Sequence, residues 1–142
     1  MKGQSNLELL LLLLGLVRKV EGRTRLQKMI YLLEERGILD LTYNFVPHFF
    51  GPYSSDLQND VNLLASLGLV EVKKHNFFYT HELSDEGKKV ASKIEKGFGA
   101  DLTGIRNEVN KIGCQSTSSL IEESKEHMSS KLGNHSILSL WK

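Results

Sequence analysis

Apolar residues cluster first between Leu9 and Val17, where almost every position is hydrophobic. A helix from Asn6 to about Val20, buried on nearly all sides, is the expected element. Glu21-Gly22 ends it, and Arg23-Thr24-Arg25 opens a second helix with Thr24 as N-cap. Leu26, Met29, Ile30 and Leu33 fall at i, i+3, i+4 and i+7, one buried stripe, which leaves Arg25, Lys28 and Glu35 toward solvent. Gly37 terminates this helix. Leu39 to Phe50 is rich in aromatic and β-branched residues and is broken by Pro47, as expected of a short strand or hairpin at a sheet edge.

A third helix follows. Ser54 or Ser55 can cap it, Leu57, Val61 and Leu64 line one face, and Gly68 stands where a left-handed residue closes a helix. Leu69 to Val72 alternates like a strand, Lys73-Lys74-His75-Asn76 reads as a basic turn, and Phe77 to Leu83 returns. Ser84 then caps a fourth helix, with Asp85 and Glu86 at the positive end of its dipole and Val90, Ala91 and Ile94 facing inward. Lys88, Lys89, Lys93 and Lys96 form a wet outer face. Gly97-Phe98-Gly99 breaks that helix, and a fifth covers roughly Asp101 to Ile112. Ser116 to Ser119 reads as a linker or cap before a weaker last helix.

The fold class is therefore α+β, mainly α: a winged helix-turn-helix with an aromatic hairpin insertion and extra C-terminal helices. Residues 1–97 form the winged-helix domain. Residues 98–142 form a helical extension whose stripe Leu102, Ile105, Val109 and Ile112, with Leu140 and Trp141, is a candidate dimer interface.

Composition changes this picture little. With 142 residues, 40% hydrophobic and 25% charged, the chain is ordinary for a globular protein. The Leu9–Val17 run is too short for a bilayer, which needs ~20 residues, and no small-residue cleavage site follows it. A cytoplasmic location is expected. The lone Cys114 excludes an intrachain disulfide and a CxxC metal site. No HExxH, Walker, GxGxxG or GxSxG sequence occurs, so neither an enzyme nor a metal or cofactor is expected.

A net charge of +1 leaves nucleic-acid binding to local patches. On the third helix Ser55, Gln58, Asn59 and Asn62 face outward, and Gln and Asn can pair with adenine in the major groove. That helix has no Lys or Arg and carries Asp56 and Asp60. Phosphate contacts would come from Lys73, Lys74 and His75 at the wing, and from Arg23, Thr24, Arg25 and Lys28 at the second helix. Ser54 completes the candidate DNA-binding set. Pro47 to Tyr53 could instead anchor a protein partner, although Gly51-Pro52 reads foremost as the turn that starts the third helix.

Tyr79 to Gly87 resembles the segment that ends the second wing strand in many prokaryotic winged-helix regulators. Gly22 to Leu33, with Phe49-Phe50-Gly51-Pro52-Tyr53-Ser54 and Leu64 to Val70, is similar to the YwgA-like group of small prokaryotic proteins. More distantly it resembles the SocA-like antitoxin domain, which shares a Leu-Gln-Lys helix and a Gly-Pro turn. The resemblance covers about Gly22 to Ile94 and implies a winged-helix domain with a regulatory, DNA-binding or adaptor role. Two functions follow as expectations. One is a homodimeric transcriptional regulator bound to double-stranded DNA. The other is a protein-interaction or antitoxin-like module in which Asp56, Asp60 and the aromatic hairpin meet a partner.

Overall fold

The computed structural model describes residues 3–133. The elements in order are α1 (Asn6–Val17), β1 (Lys19–Glu21), α2 (Arg23–Glu35), β2 (Val46–His48), β3 (Gly51–Tyr53), α3 (Ser55–Ser66), β4 (Val70–Lys74), β5 (Tyr79–Leu83), α4 (Asp85–Phe98), α5 (Asp101–Gly113) and α6 (Thr117–Leu132). The molecule is α+β and mainly helical. β5 runs antiparallel between β1 and β4, and β2 and β3 make a separate antiparallel hairpin.

Helix starts follow local chemistry closely. Ser5 and Glu8 form a reciprocal capping box on α1. Ser54, Ser84 and Ser116 each accept an N–H from three residues on, at Leu57, Gly87 and Ser119. Gly68 takes φ +77°, the left-handed conformation expected after α3. Gly87 has another reason to be glycine: a Cβ there would lie 2.0 Å from the backbone oxygen of Leu69. That close approach locks α4 against the start of β4, where Ser84 also donates to Leu69 O and Gly68 O.

Several elements differ from expectation. α1 stops at Val17, Arg18 turns the chain at φ 69°, and Lys19–Glu21 joins the sheet as a strand. Three residues carry too little periodicity to announce a strand, and the pairing partner lies about sixty residues away at Thr80–Glu82. Gly22, not Thr24, is the N-cap of α2, and no side chain caps it. Gly51-Pro52-Tyr53 is not a turn into α3 but the second strand of the hairpin, with Phe49-Phe50 at its tip. Lys73 and Lys74 belong to β4 rather than to the turn, whose tip is closed by His75 N–H donating to Phe78 O.

One hydrophobic core runs from Leu9 to Met128. Leu9 to Leu14 lie at its centre on α1, every one at most 3% exposed. No helix among the described residues is long and apolar enough to cross a membrane. The α5 stripe is part of the same core: Val109 and Ile112 are fully buried, and Leu102 and Ile105 pack against it half-buried. These residues, read from the sequence as a dimer interface, fold back on α1 and α2 within the chain. Leu140 and Trp141 lie outside the described residues. α6 seats on α2 through Tyr31 Oη and His127 Nδ1 at 2.7 Å, Lys131 to Glu35 at 2.9 Å, and the pair Arg36–Glu123. Glu35 is thus bound to α6 rather than left to solvent.

Candidate interaction site

Two adjacent side chains of α2 organise the site. Gln27 is buried, and its amide grips Ser54 at both backbone groups: Nε2 donates to Ser54 O, and Oε1 accepts from Ser54 N, each at 2.8 Å. Lys28 is 2% exposed, and its Nζ donates to Pro52 O at 2.8 Å. Together they pin the second strand of the hairpin and the cap of α3 to α2. The pair explains why a Leu-Gln-Lys helix should accompany Gly-Pro-Tyr-Ser in one sequence.

Lys28 therefore departs from its expected place in solvent. The apolar stripe predicts one face of α2, but β3 and α6 cover a second face, and the lysine lies under them. Burial, and then the charge of Lys125, pull its pKa down to about 8. Among the described residues no carboxylate pairs with it.

The other residues expected on DNA are placed differently from one another. Arg25 is turned away: it donates to Gly113 O at 2.7 Å and to Thr117 Oγ1 at 3.3 Å, tying the α5–α6 junction to α2. Ser54 is buried as the cap of α3. On β4 and the turn to β5, Lys73 sits between Glu71 and Glu82 at 3.6 and 3.4 Å, Lys74 is exposed, and His75 stacks on Phe78 and meets Thr80 Oγ1 at 3.3 Å. Arg23 is exposed, with its guanidinium 3.9 Å from the centre of the Tyr79 ring. Ser55, Asn59 and Asn62 are exposed on α3, and Gln58 donates to Asn62 Oδ1 at 3.1 Å.

The structure gathers Arg23, Thr24, Lys28, Gln58 and Asn62 around one cleft of about 350 Å³, together with Gln27 and with His48, Phe50 and Tyr53 of the hairpin. Among the described residues no Asp or Glu lines it. The three hairpin residues were legible as a possible partner-binding segment but not as a wall beside α3. That placement depends on the Gln27 and Lys28 contacts, which span 27 and 24 residues. The hairpin also leaves Phe49 70% and Phe50 61% exposed, and the wing tip leaves Phe77 95% exposed.

One further expectation changes. Asp60, offered as a partner contact, accepts the Tyr43 hydroxyl at 2.7 Å, and burial together with this bond raises the Tyr43 pKa. Cys114 is exposed. Among the described residues, no group of three or more His, Cys, Asp or Glu side chains is placed to hold a metal ion.

No protein-family model matches the chain, and no solved structure matches it significantly. The chain is similar to a protein of Bacillus subtilis (strain 168) named Uncharacterized protein YwgA, with 32% identity over 97 residues. The aligned part covers 65% of this chain and 57% of that protein, so the chain spans little more than half of its relative's length. This likeness supports a place in a YwgA-like group, in agreement with the motifs of α2, the hairpin and α3.

Proposed function

We propose that this chain is a protein-interaction module on a winged-helix scaffold, and that the cleft between α2, α3 and the aromatic hairpin receives a segment of a partner protein. The scaffold reading rests on the order α1, β1, α2, α3, β4, β5 and on the sheet order β1-β5-β4. It agrees with the resemblance to wing segments in Tyr79–Gly87. The SocA-like resemblance of the Leu-Gln-Lys helix points the same way, toward an adaptor.

One observation carries the choice. The polar face of α3 that a DNA reader would send into a major groove is, at Gln58 and Asn62, the wall of a cleft shared with Phe50 and Tyr53. A groove about 12 Å wide admits a helix whose face is free, not one walled by a hairpin. The cations expected on phosphate are also diverted, Lys28 inward, Arg25 to Gly113 and Lys73 to two glutamates. Exposed phenylalanines at both hairpin tips suit a partner anchored by aromatic contacts.

The test is purification of the tagged full chain from its host with nucleic acid removed. A partner should be retained by the native chain and lost with Phe50→Ala, Tyr53→Ala or Asn62→Ala. A partner held equally by all three variants would sink the reading.

A second reading, a dimeric DNA-binding regulator, is favoured by Ser55, Asn59 and Asn62 standing exposed on one helix with Arg23 and Lys74 exposed on neighbouring elements. It requires duplex binding whose logarithm falls steeply with log salt concentration. The slope should shrink by about one in Lys74→Ala. Absence of duplex binding at low salt removes this reading.

A further inference from the structure

We infer that the cleft is an oxyanion site, built to take a carboxylate or phosphate group at the start of α2. Three independent features converge there. First, the N-terminus of α2 is open: Gly22 offers no capping side chain, and the first turn holds no acid. A helix start carries free N–H groups and partial positive charge, which favour an anion there. Second, Lys28 is an ammonium 98% removed from solvent that has only the Pro52 carbonyl as hydrogen-bond partner among the described residues. An ammonium has three N–H donors, and burying one without a counter-charge is costly. Third, the lining around these groups contains Arg23, Thr24, Gln58 and Asn62, all able to donate, and among the described residues no carboxylate.

A charge arrangement of this kind is unfavourable in the empty molecule and favourable once an anion enters. Phe50 and Tyr53 supply an apolar wall for the body that carries the anion. The site does not depend on the partner-protein reading. The oxyanion can arrive on an acidic segment of a partner or as a free phosphate, and the experiment separates the two.

The test is an amide NMR titration of the labelled full chain with two probes, inorganic phosphate and a short acetylated peptide carrying Glu. Sodium chloride at matched ionic strength and the same peptide with Gln are the controls. Saturable shifts are expected at the Arg23 and Thr24 backbone amides and at the Gln58 and Asn62 side-chain amides, with at least one probe and neither control. Saturation by phosphate alone identifies a free or esterified phosphate, and saturation by the Glu peptide alone identifies an acidic segment. Arg23→Gln should weaken binding about tenfold, the loss of one charge-assisted hydrogen bond. Lys28→Met should remove it. Lys28 also holds Pro52, so if that variant fails to fold, Arg23→Gln and Thr24→Ala carry the test. No saturable shift at millimolar concentrations of either probe, or unchanged affinity in Arg23→Gln and Thr24→Ala, overturns the inference. Partner capture that fails while the titration succeeds sinks only the partner reading.

Discussion

His81 is 1% exposed in the middle of the three-stranded sheet, with Nδ1 3.3 Å from Val20 O and Nε2 without a hydrogen-bond partner among the described residues. A carbonyl only accepts, so Nδ1 carries a proton, and burial favours the ring with no second proton on Nε2. Burial lowers its pKa below 6.5, with the Val20 carbonyl opposing and Arg23 assisting. Below that value the unfolded chain binds a proton that the folded chain refuses, so the unfolded state gains and stability falls as pH drops. Between about pH 7 and about pH 5 the urea midpoint of the native chain should therefore fall relative to that of His81→Gln, the Glu34 carboxyl, raised to about 7, acting the other way in both proteins. Equal slopes in the two proteins would show that His81 is not the group responsible. Lys28 presents the reverse sequence problem. Its spacing on α2 marked it for solvent, and only the elements laid over it make it a buried charge.

At the scale of elements, the joint between α2, the hairpin and α3 decides whether a cleft exists. Gln27 satisfies a buried N–H and a buried C=O of Ser54 at once. Removing it leaves both without partners, and leaving such groups unsatisfied costs about 1–3 kcal/mol each. Gln27→Ala should lower unfolding stability by roughly 2–4 kcal/mol, and the hairpin amides should exchange faster with solvent. A chain of unchanged stability would mean that Lys28 and α6 hold the hairpin without Gln27. The caps of α3, α4 and α6 were legible because a serine reaches an N–H three residues on. The hairpin's second strand was not, since Gly-Pro reads as a turn wherever its neighbours are unknown.

For the whole molecule, the division at residue 97 assigned α5 and α6 to an extension with its own purpose. In the folded chain Val109, Ile112, Leu120 and Met128 complete the core that α1 and α2 begin, each at most 5% exposed. Arg25 and the α2–α6 pairs fasten them there. A chain cut after Gly99 should expose the outer faces of α1 and α2 and lose cooperative unfolding, rather than yield a stable monomeric winged helix. A sharp two-state transition in that fragment would restore the two-part organisation. Val109 and Ile112, fully buried within the chain, are not available to a second copy.

What the sequence by itself determined is local: the helices over α1 to α6, three of their serine caps, the glycine after α3, the strand–turn–strand of the wing and the apolar faces. Each depends on residues within about one or two turns of one another, so spacing and side-chain chemistry suffice. Only the tertiary structure decided that Lys19–Glu21 is a strand, that Lys28 and Arg25 point inward, that the α5 stripe is core, and that the hairpin walls α3 into a cleft. Those facts rest on contacts spanning from 24 to 92 residues. A periodic pattern says that a face is buried. It does not say what buries it.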